Sequence, residues 1–596
     1  MFKKFLLIVC GSIVGSFIAI MVAMLCMVML GVSIAMSMGQ SKAKVKDHSI
    51  LRIDLSGPIE ERQSSIGGVG NLMSMLQGQQ SGASLQDIER ALGVAMLDEH
   101  IDGVVINCDG VSANPATLRS VRNAILNFKA SKKWVYAYAN GGYDQGDYYV
   151  ATAADSIFVN PVGAVDVHGM ASSTPYFKKV LDKVGVEMQV IRVGAYKSAV
   201  EPYMLETMSP ENREQHEVYM GNIWGVMEGE MAKARKINLA QFNTYVDSML
   251  ATQPVDTLIK RHIVDAKLYR PEFENRLRTL TKVDKTDELN FVSPEELAAN
   301  YDGGENKDGV IAVVYACGEI DGNSNPEEGI DSEALVDCIT DLQNDDDVKG
   351  LVLRVNSPGG SAFGSEQIWK ALEEFKKSGK TFTVSMGDYA ASGGYYISCG
   401  ANRIFADSTT ITGSIGIFGM IPCAQDLVEN QIGVNVEVVK TNENADCLSM
   451  GMMSKRLTPA QRQAIQNNVN EGYELFTKRC ADGRKVSQDS IKAIGGGRVW
   501  DGISAKKIGL IDQFGSLADA IEWTAKKVGL KTGYYSVQCY PSAEEDMKAI
   551  FGKYMQMRAT ENMKREMGVF YTYYEKLQAI MHRDHILCLL PESELK

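Results

Sequence analysis

Between Phe5 and Ser41 the chain carries no charged residue, a gap of 37 positions. A bilayer-spanning helix needs roughly 20 apolar residues. The apolar core of a cleaved secretory leader is about 7–15. The length therefore favours an uncleaved anchor over a leader. No second run of this kind follows, which excludes a multi-pass transporter and leaves the rest of the chain on one side of a membrane. Lysines flank the run on both sides (Lys3 and Lys4 before it; Lys42, Lys44 and Lys46 after it), so charge asymmetry gives no clean orientation. Basic residues are also scarce. Lys and Arg number 61 against 74 Asp and Glu, a net charge of −13, which argues against a nucleic-acid partner. The 11 cysteines include no CxxC pair and are irregularly spaced, which excludes a disulfide framework or a cysteine metal site. Of the seven histidines only His582 and His585 share a helical spacing, and they lack a third ligand. No metal or cofactor is expected.

What is present is a repeat. Gly103–Phe158 and Gly350–Phe405 align at a constant offset of 247, matching Phe128 with Phe375, Tyr148 with Tyr395, Tyr149 with Tyr396 and Phe158 with Phe405. Earlier, His48–Pro58 and Gly309–Gly318 read as matching strands. The first half carries extra Gly-, Ser- and Gln-rich residues in Gln63–Ala83, an expected exposed loop. Later, Gly163–Met170 matches Gly413–Met420 at offset 250. Short apolar runs such as Leu351–Val355 and Met188–Arg192 alternate with amphipathic ones such as Ser365–Lys377, whose Ile368, Leu372 and Phe375 share a face. That alternation predicts βαβ units and an α/β fold with a largely parallel sheet. The expected organisation is an anchor over residues 1–46 and one repeat over 47–305. The second repeat spans 306–596 and ends in a helical Met- and Tyr-rich tail over Glu544–His585. The linker falls in Ala299–Asp308.

The two copies differ where chemistry would need them to. Ser392 stands in Ala390-Ala391-Ser392-Gly393-Gly394, ahead of the apolar helix Tyr395–Cys399; the first copy has Gln145 in its place. A serine before a helix, beside glycines, can present its hydroxyl while the Gly393 N–H faces a developing anion; it can equally be a simple N-cap. Asn356-Ser357-Pro358-Gly359-Gly360 follows a buried strand, where glycines let backbone N–H groups approach a ligand. The first copy reads Asp109-Gly110-Val111-Ser112-Ala113 there. A serine nucleophile needs a base. His168, in a Gly-rich turn, is one candidate, though no acid is placed to orient it. Lys197, in the mostly apolar Val193–Tyr203, is another if burial keeps its amine neutral; an ordinary surface lysine is the alternative. Its counterpart at offset 248 is Ala445.

Together, in this order, Tyr196-Lys197-Ser198-Ala199-Val200-Glu201-Pro202, Asn356–Gly360 and Asp388–Tyr396 resemble the long, two-repeat form of the bacterial signal peptide peptidase A family, over essentially the whole chain. The resemblance implies tandem β/α spiral domains of the Clp/crotonase type preceded by one transmembrane helix. It also implies a Ser/Lys dyad. In that reading Ser392 is the nucleophile and Lys197 the general base. Gly393 with Gly359 or Gly360 supplies the oxyanion hole, and Ser414 orients the lysine. Ala164 is the first-copy counterpart of Ser414. The substrates implied are signal peptides left in the membrane, and other apolar peptides. The implied assembly is a homotetramer on inner-membrane lipid, with its catalytic domains on the periplasmic side. Two other readings remain open: a crotonase-type enzyme acting on acyl-CoA, which would need neither Ser392 nor Lys197, and a catalytically dispensable membrane scaffold.

Overall fold

A computed structural model describes residues 44–62, 84–284, 286–301, 308–322, 329–447, 455–541, 586–589 and 594–595, the last two segments by backbone alone. The expected anchor, the Gln63–Ala83 loop, the helical tail Glu544–His585 and most of the linker lie outside these residues. Among the described residues no helix is long and apolar enough to cross a membrane.

The first half is built on β1 (Ser49–Pro58), β2 (Ile101–Ser112), β3 (Trp134–Ala139) and β4 (Ser156–Val159), parallel neighbours in that order, flanked by the short strands Phe291–Val292 and Ala266–Lys267. β2 carries the near-continuous apolar run expected of a strand covered on both faces. Helix Pro115–Phe128 lays Leu118, Val121, Ile125 and Phe128 against it. From this half β5 (Glu187–Arg192) runs outward, away from the sheet.

In the second half β6 (Val310–Cys317) and β7 (Val348–Ser357) are followed by the three-residue β8 (Gly359–Ser361). Then come β9 (Thr381–Ala391), β10 (Ile411–Gly413) and β11 (Phe418–Cys423). Its sheet runs Val499–Asp501, β10, β9, β7, β6, Ser536–Tyr540, and Arg403–Ala406 branches from β9. The offset of 247 is kept in space: β2, β3 and β4 start at Ile101, Trp134 and Ser156, and their counterparts at Val348, Thr381 and Arg403. The expected helix over Ser365–Lys377 spans Ala362–Lys377 and buries Ile368, Leu372 and Phe375 as its spacing predicts. It starts earlier because Ser361 caps it, accepting from the Gly364 N–H.

The halves interlock. Ala391, Ile411 and Val499 of the second half pack into the core of the first, and Ile191 of the first packs into the core of the second. β5 pairs antiparallel with β11, from Arg192 opposite Phe418 to Glu187 opposite Cys423. A last strand, β12 (Ile586–Leu589), lies between β8 and β11 and completes a four-stranded sheet with β5.

Candidate active site

Ser392 sits at the end of β9, where the chain turns into the short helix Gly393–Ser398. Its φ of 56° and ψ of −113° are strained for a residue with a Cβ. Its N–H donates to the Gly413 carbonyl at 2.8 Å. Its hydroxyl makes no capping bond to the helix, which removes the N-cap alternative. Ser414, just beyond β10, also has positive φ, 48°, and its N–H is held by the Arg498 carbonyl at 2.7 Å. The turn Lys197–Val200 after β5 brings Lys197 between these two strained serines. Lys197 Nζ lies 2.7 Å from Ser392 Oγ, 3.1 Å from Ser414 Oγ and 3.2 Å from the Ser414 carbonyl oxygen. All three residues have no solvent exposure. A fully buried amine loses hydration that favours its charged form.

The lysine is set by its own motif. Arg192 donates to the Lys197 carbonyl at 3.1 Å. Gln215 donates to Ser198 Oγ at 2.9 Å and accepts from the Val499 N–H at 3.0 Å, tying the lysine turn to the second half. Glu201, fully buried, accepts from Ser209 Oγ and Asn212 Nδ2. Opposite, a Cβ on Gly497 would stand 2.6 Å from the Lys197 Cα, and one on Gly416 3.3 Å from its Cδ. Gly497, last of the run Gly495-Gly496-Gly497, therefore admits the lysine backbone; three consecutive glycines were the available sequence signal.

The glycine elements meet at the same place. A Cβ on Gly393 would lie 3.1 Å from Gly359 Cα and 3.2 Å from Gly360 N. The Gly359 N–H donates to Ser357 Oγ at 3.2 Å. Gly360 has φ 151° and lies so close to Ile320 that a Cβ would stand 2.1 Å from its carbonyl oxygen.

Two contacts from the first half brace these loops, and neither was foreseen. Glu61 receives Arg354 through Nε at 2.9 Å and Nη2 at 3.0 Å, and Asn356 Nδ2 at 3.0 Å. Asn356 in turn accepts the Tyr389 N–H at 3.1 Å. Asp388 accepts the Thr117 N–H at 2.9 Å and the Thr117 hydroxyl at 2.6 Å. Burial pushes the Asp388 carboxyl up to about 6, against the lowering effect of the Thr117 bonds.

The equivalent place in the first half is closed. Gln145, opposite number of Ser392, accepts from the N–H groups of His168 and Gly169 at 3.1 and 3.0 Å. The His168 side chain is exposed to solvent. Asp147 stands where the second half has Gly394, and its carboxylate accepts the N–H groups of Gly110 and Val111 at 3.0 and 3.3 Å. Burial first, then Asp144, push its carboxyl up to about 7. Ala445 lies in an exposed turn. Among the described residues no group of His, Cys, Asp or Glu is arranged to hold a metal, and no disulfide joins the cysteines whose side chains are described.

Comparison with known proteins gives the chain a family. The pattern of peptidase family S49 matches residues 127–253 and 374–531, one segment in each half. Protease 4 of Salmonella typhi is 35% identical over 518 residues, covering 85% of this chain and 82% of that protein. Protease 4 of Haemophilus influenzae is 33% identical, covering 81% and 80%. A putative signal peptide peptidase SppA of Enterococcus faecium is 34% identical over 42% of this chain and 71% of its own length. On that extent and identity of match, the chain belongs to peptidase family S49.

Proposed function

We propose that this chain is a membrane-anchored serine endopeptidase that uses Ser392 as nucleophile and Lys197 as general base to degrade cleaved signal peptides. The observation that carries the proposal is the 2.7 Å contact between Lys197 Nζ and Ser392 Oγ, buried at the seam of two halves that each lack the other's residue. The neutral amine takes the Ser392 proton as the hydroxyl attacks a peptide carbonyl. The proposed oxyanion donors are the N–H groups of Gly393 and Gly360; the Gly359 N–H already donates to Ser357 Oγ. The lysine then gives its proton to the leaving amine, and water hydrolyses the acyl-enzyme. Ser414 holds the amine from its other side. The acyl-CoA alternative assigns no work to the buried amine on the serine hydroxyl, and the family is one of peptidases. The name of the Enterococcus relative supports signal peptides as the substrate class. The uncharged run Phe5–Ser41 supports attachment to a membrane; an inner membrane with the catalytic halves on its periplasmic side is what the family resemblance implies. Labelling the purified protein with a fluorophosphonate and mapping the adduct tests the proposal: a Ser392 adduct, absent in Ser392→Ala, is expected, and no adduct at Ser392 would overturn it.

The repeat also supports a homo-oligomer, proposed as the tetramer that the resemblance implies. The β5–β11 pair that joins the halves has counterparts at residues 435–440 and 168–173, which do not pair with each other within the chain. Residues 435–440 are largely exposed, with Val439 fully so. Joining one copy's 435–440 to the next copy's 168–173 repeats the internal contact head to tail, an arrangement that forms a ring where the rotation closes. Mass measurement in detergent checks this, and Val439→Asp should shift the particle to single chains.

A further inference from the structure

One side chain touches both neighbours of the lysine. Gln215 lies on the helix Pro210–Ala234 and is only 1% exposed. Its Nε2 donates to the Ser198 hydroxyl at 2.9 Å, to Asn212 Oδ1 at 3.0 Å and, at longer range, to the Tyr196 carbonyl at 3.4 Å. Its Oε1 accepts the Val499 N–H at 3.0 Å. Tyr196 and Ser198 flank Lys197 in the chain, and Val499 belongs to the other half.

The orientation of this amide is forced. A backbone N–H can only donate, so the amide oxygen faces Val499 and the amide nitrogen faces the lysine turn. Asn212 fixes it from behind. The Asn212 Nδ2 donates to the buried Glu201 carboxylate at 3.1 Å, which turns its Oδ1 towards Gln215. Val499 in turn stands where both serines are held. It pairs with Gly413, whose carbonyl takes the Ser392 N–H at 2.8 Å. The carbonyl just before it, that of Arg498, takes the Ser414 N–H at 2.7 Å. Gln215 is therefore one residue from Lys197 on one side and one backbone bond from the anchors of Ser392 and Ser414 on the other. Asn222, about two turns along the same helix, bonds differently. It donates to Asp501 Oδ2 at 2.8 Å and Ser504 Oγ at 3.2 Å, which docks the helix on the second half, and neither bond goes to the lysine turn.

We infer that Gln215 is a positioning residue for the general base, its amide setting the distance from the Lys197 amine to the Ser392 hydroxyl across the seam of the two halves; the inference rests on the Ser/Lys reading of the site. Gln215→Leu removes every one of these bonds and leaves the buried Val499 N–H without an acceptor. Gln215→Glu keeps an acceptor for Val499 and adds a negative charge. The ionisable groups already there are Arg192, Tyr196 and Glu201 around the turn, Glu214 and His216 on the helix, and Arg498 across the seam. An added negative charge favours the ammonium form of the lysine, so the amine gives up its proton at a higher pH.

The test uses the full chain in detergent. Reactive sites are counted with a fluorophosphonate. The measured quantities are kcat per reactive site, KM for an apolar reporter peptide, and the rate of Ser392 labelling across pH. Gln215→Leu should lower kcat per site roughly 10–100-fold with KM held, the scale of a displaced reacting group. Gln215→Glu should move the midpoint of the alkaline rise in labelling rate up by about 0.5–1 pH unit. Asn222→Ala should lower the denaturation midpoint and leave both kcat per site and the pH midpoint at the parent values. A glutamine that only joined the halves would behave as Asn222 does. Parent kcat per site in Gln215→Leu, or an unmoved midpoint in Gln215→Glu, would therefore overturn the inference. If Gln215→Leu does not fold, the midpoint of Gln215→Glu decides alone. A parent chain whose Ser392 does not react with the fluorophosphonate would defeat the Ser/Lys reading itself, and the inference with it.

Discussion

Lys197 Nζ stands 2.7 Å from Ser392 Oγ, 195 positions apart in sequence and each supplied by a different half of a duplicated chain. Removing either group should abolish turnover. Lys197→Ala and Ser392→Ala are each expected to lower kcat by on the order of 10³-fold or more, and His168→Ala, exposed at the surface, should leave it unchanged. Because the amine must be neutral to accept the serine proton, kcat should rise from neutral towards alkaline pH; steady-state rates across that range check both points, and a flat profile would remove the lysine from its role.

Ser414 touches the amine through its hydroxyl at 3.1 Å and its carbonyl at 3.2 Å. Ser414→Ala deletes only the first. Loss of one hydrogen bond, about 1–1.5 kcal/mol, corresponds to a kcat lowered roughly tenfold with KM held. An unchanged kcat would show that the carbonyl alone positions the lysine.

Gly393→Ala inserts a methyl group 2.7 Å from Ser365 Oγ and 3.1 Å from Gly359 Cα. The glycine strand must move away from the Gly393 N–H, and the expected loss is about 100-fold in kcat, the scale of one oxyanion donor. Retained folding, read by circular dichroism, separates this from collapse.

The Glu61–Arg354 pair joins the halves with both side chains under one-tenth exposed. Glu61→Leu leaves the guanidinium buried with only Ser385 Oγ and the Met386 carbonyl as acceptors. Breaking a buried pair in this way costs about 3–5 kcal/mol, to be read as a lower denaturation midpoint. A midpoint within error of the parent would show that the bracing of Asn356 does not depend on this carboxylate.

Asp388 gives a pH signature. Its carboxyl rises from the ordinary 3.8 to about 6 because burial disfavours the charge. A carboxyl raised on folding stabilises fully below its unfolded value, and that contribution is lost as pH climbs through the folded one. The window is pH 4–6, and the difference amounts to about 3 kcal/mol. Asp388→Asn, which cannot ionise, should gain stability relative to the parent between pH 4.5 and pH 7.5, measured by chemical denaturation; a constant difference would place the Asp388 titration elsewhere.

Much of the architecture was legible in the chain because it is written twice. Strands of continuous apolar residues and helices with a single apolar stripe depend on local periodicity, so β7 and the helix with Ile368, Leu372 and Phe375 fall where the pattern places them. Reciprocal differences between the copies singled out Lys197, Ser392 and the glycine pair, and the family resemblance added Ser414, before any coordinates. The limits lay at contacts between distant segments. Glu61 reads as one acid among many, Thr117 as one hydroxyl on a helix, and Gly497 as a loop residue, until folding sets them against Arg354, Asp388 and Lys197.

The sequence by itself determined which residue types each half kept, because duplication leaves a reference copy against which loss can be read. Only the tertiary structure decided that they lie at one point. The strained turns at Ser392 and Ser414, the glycine surfaces that admit Lys197 and the pairing of β5 with β11 are through-space constraints with no local signature. The same is true of the C-terminal strand: its apolar letters are plain in the chain, and its place beside Gly359 and Gly360 follows from backbone hydrogen bonding, which any extended segment can offer.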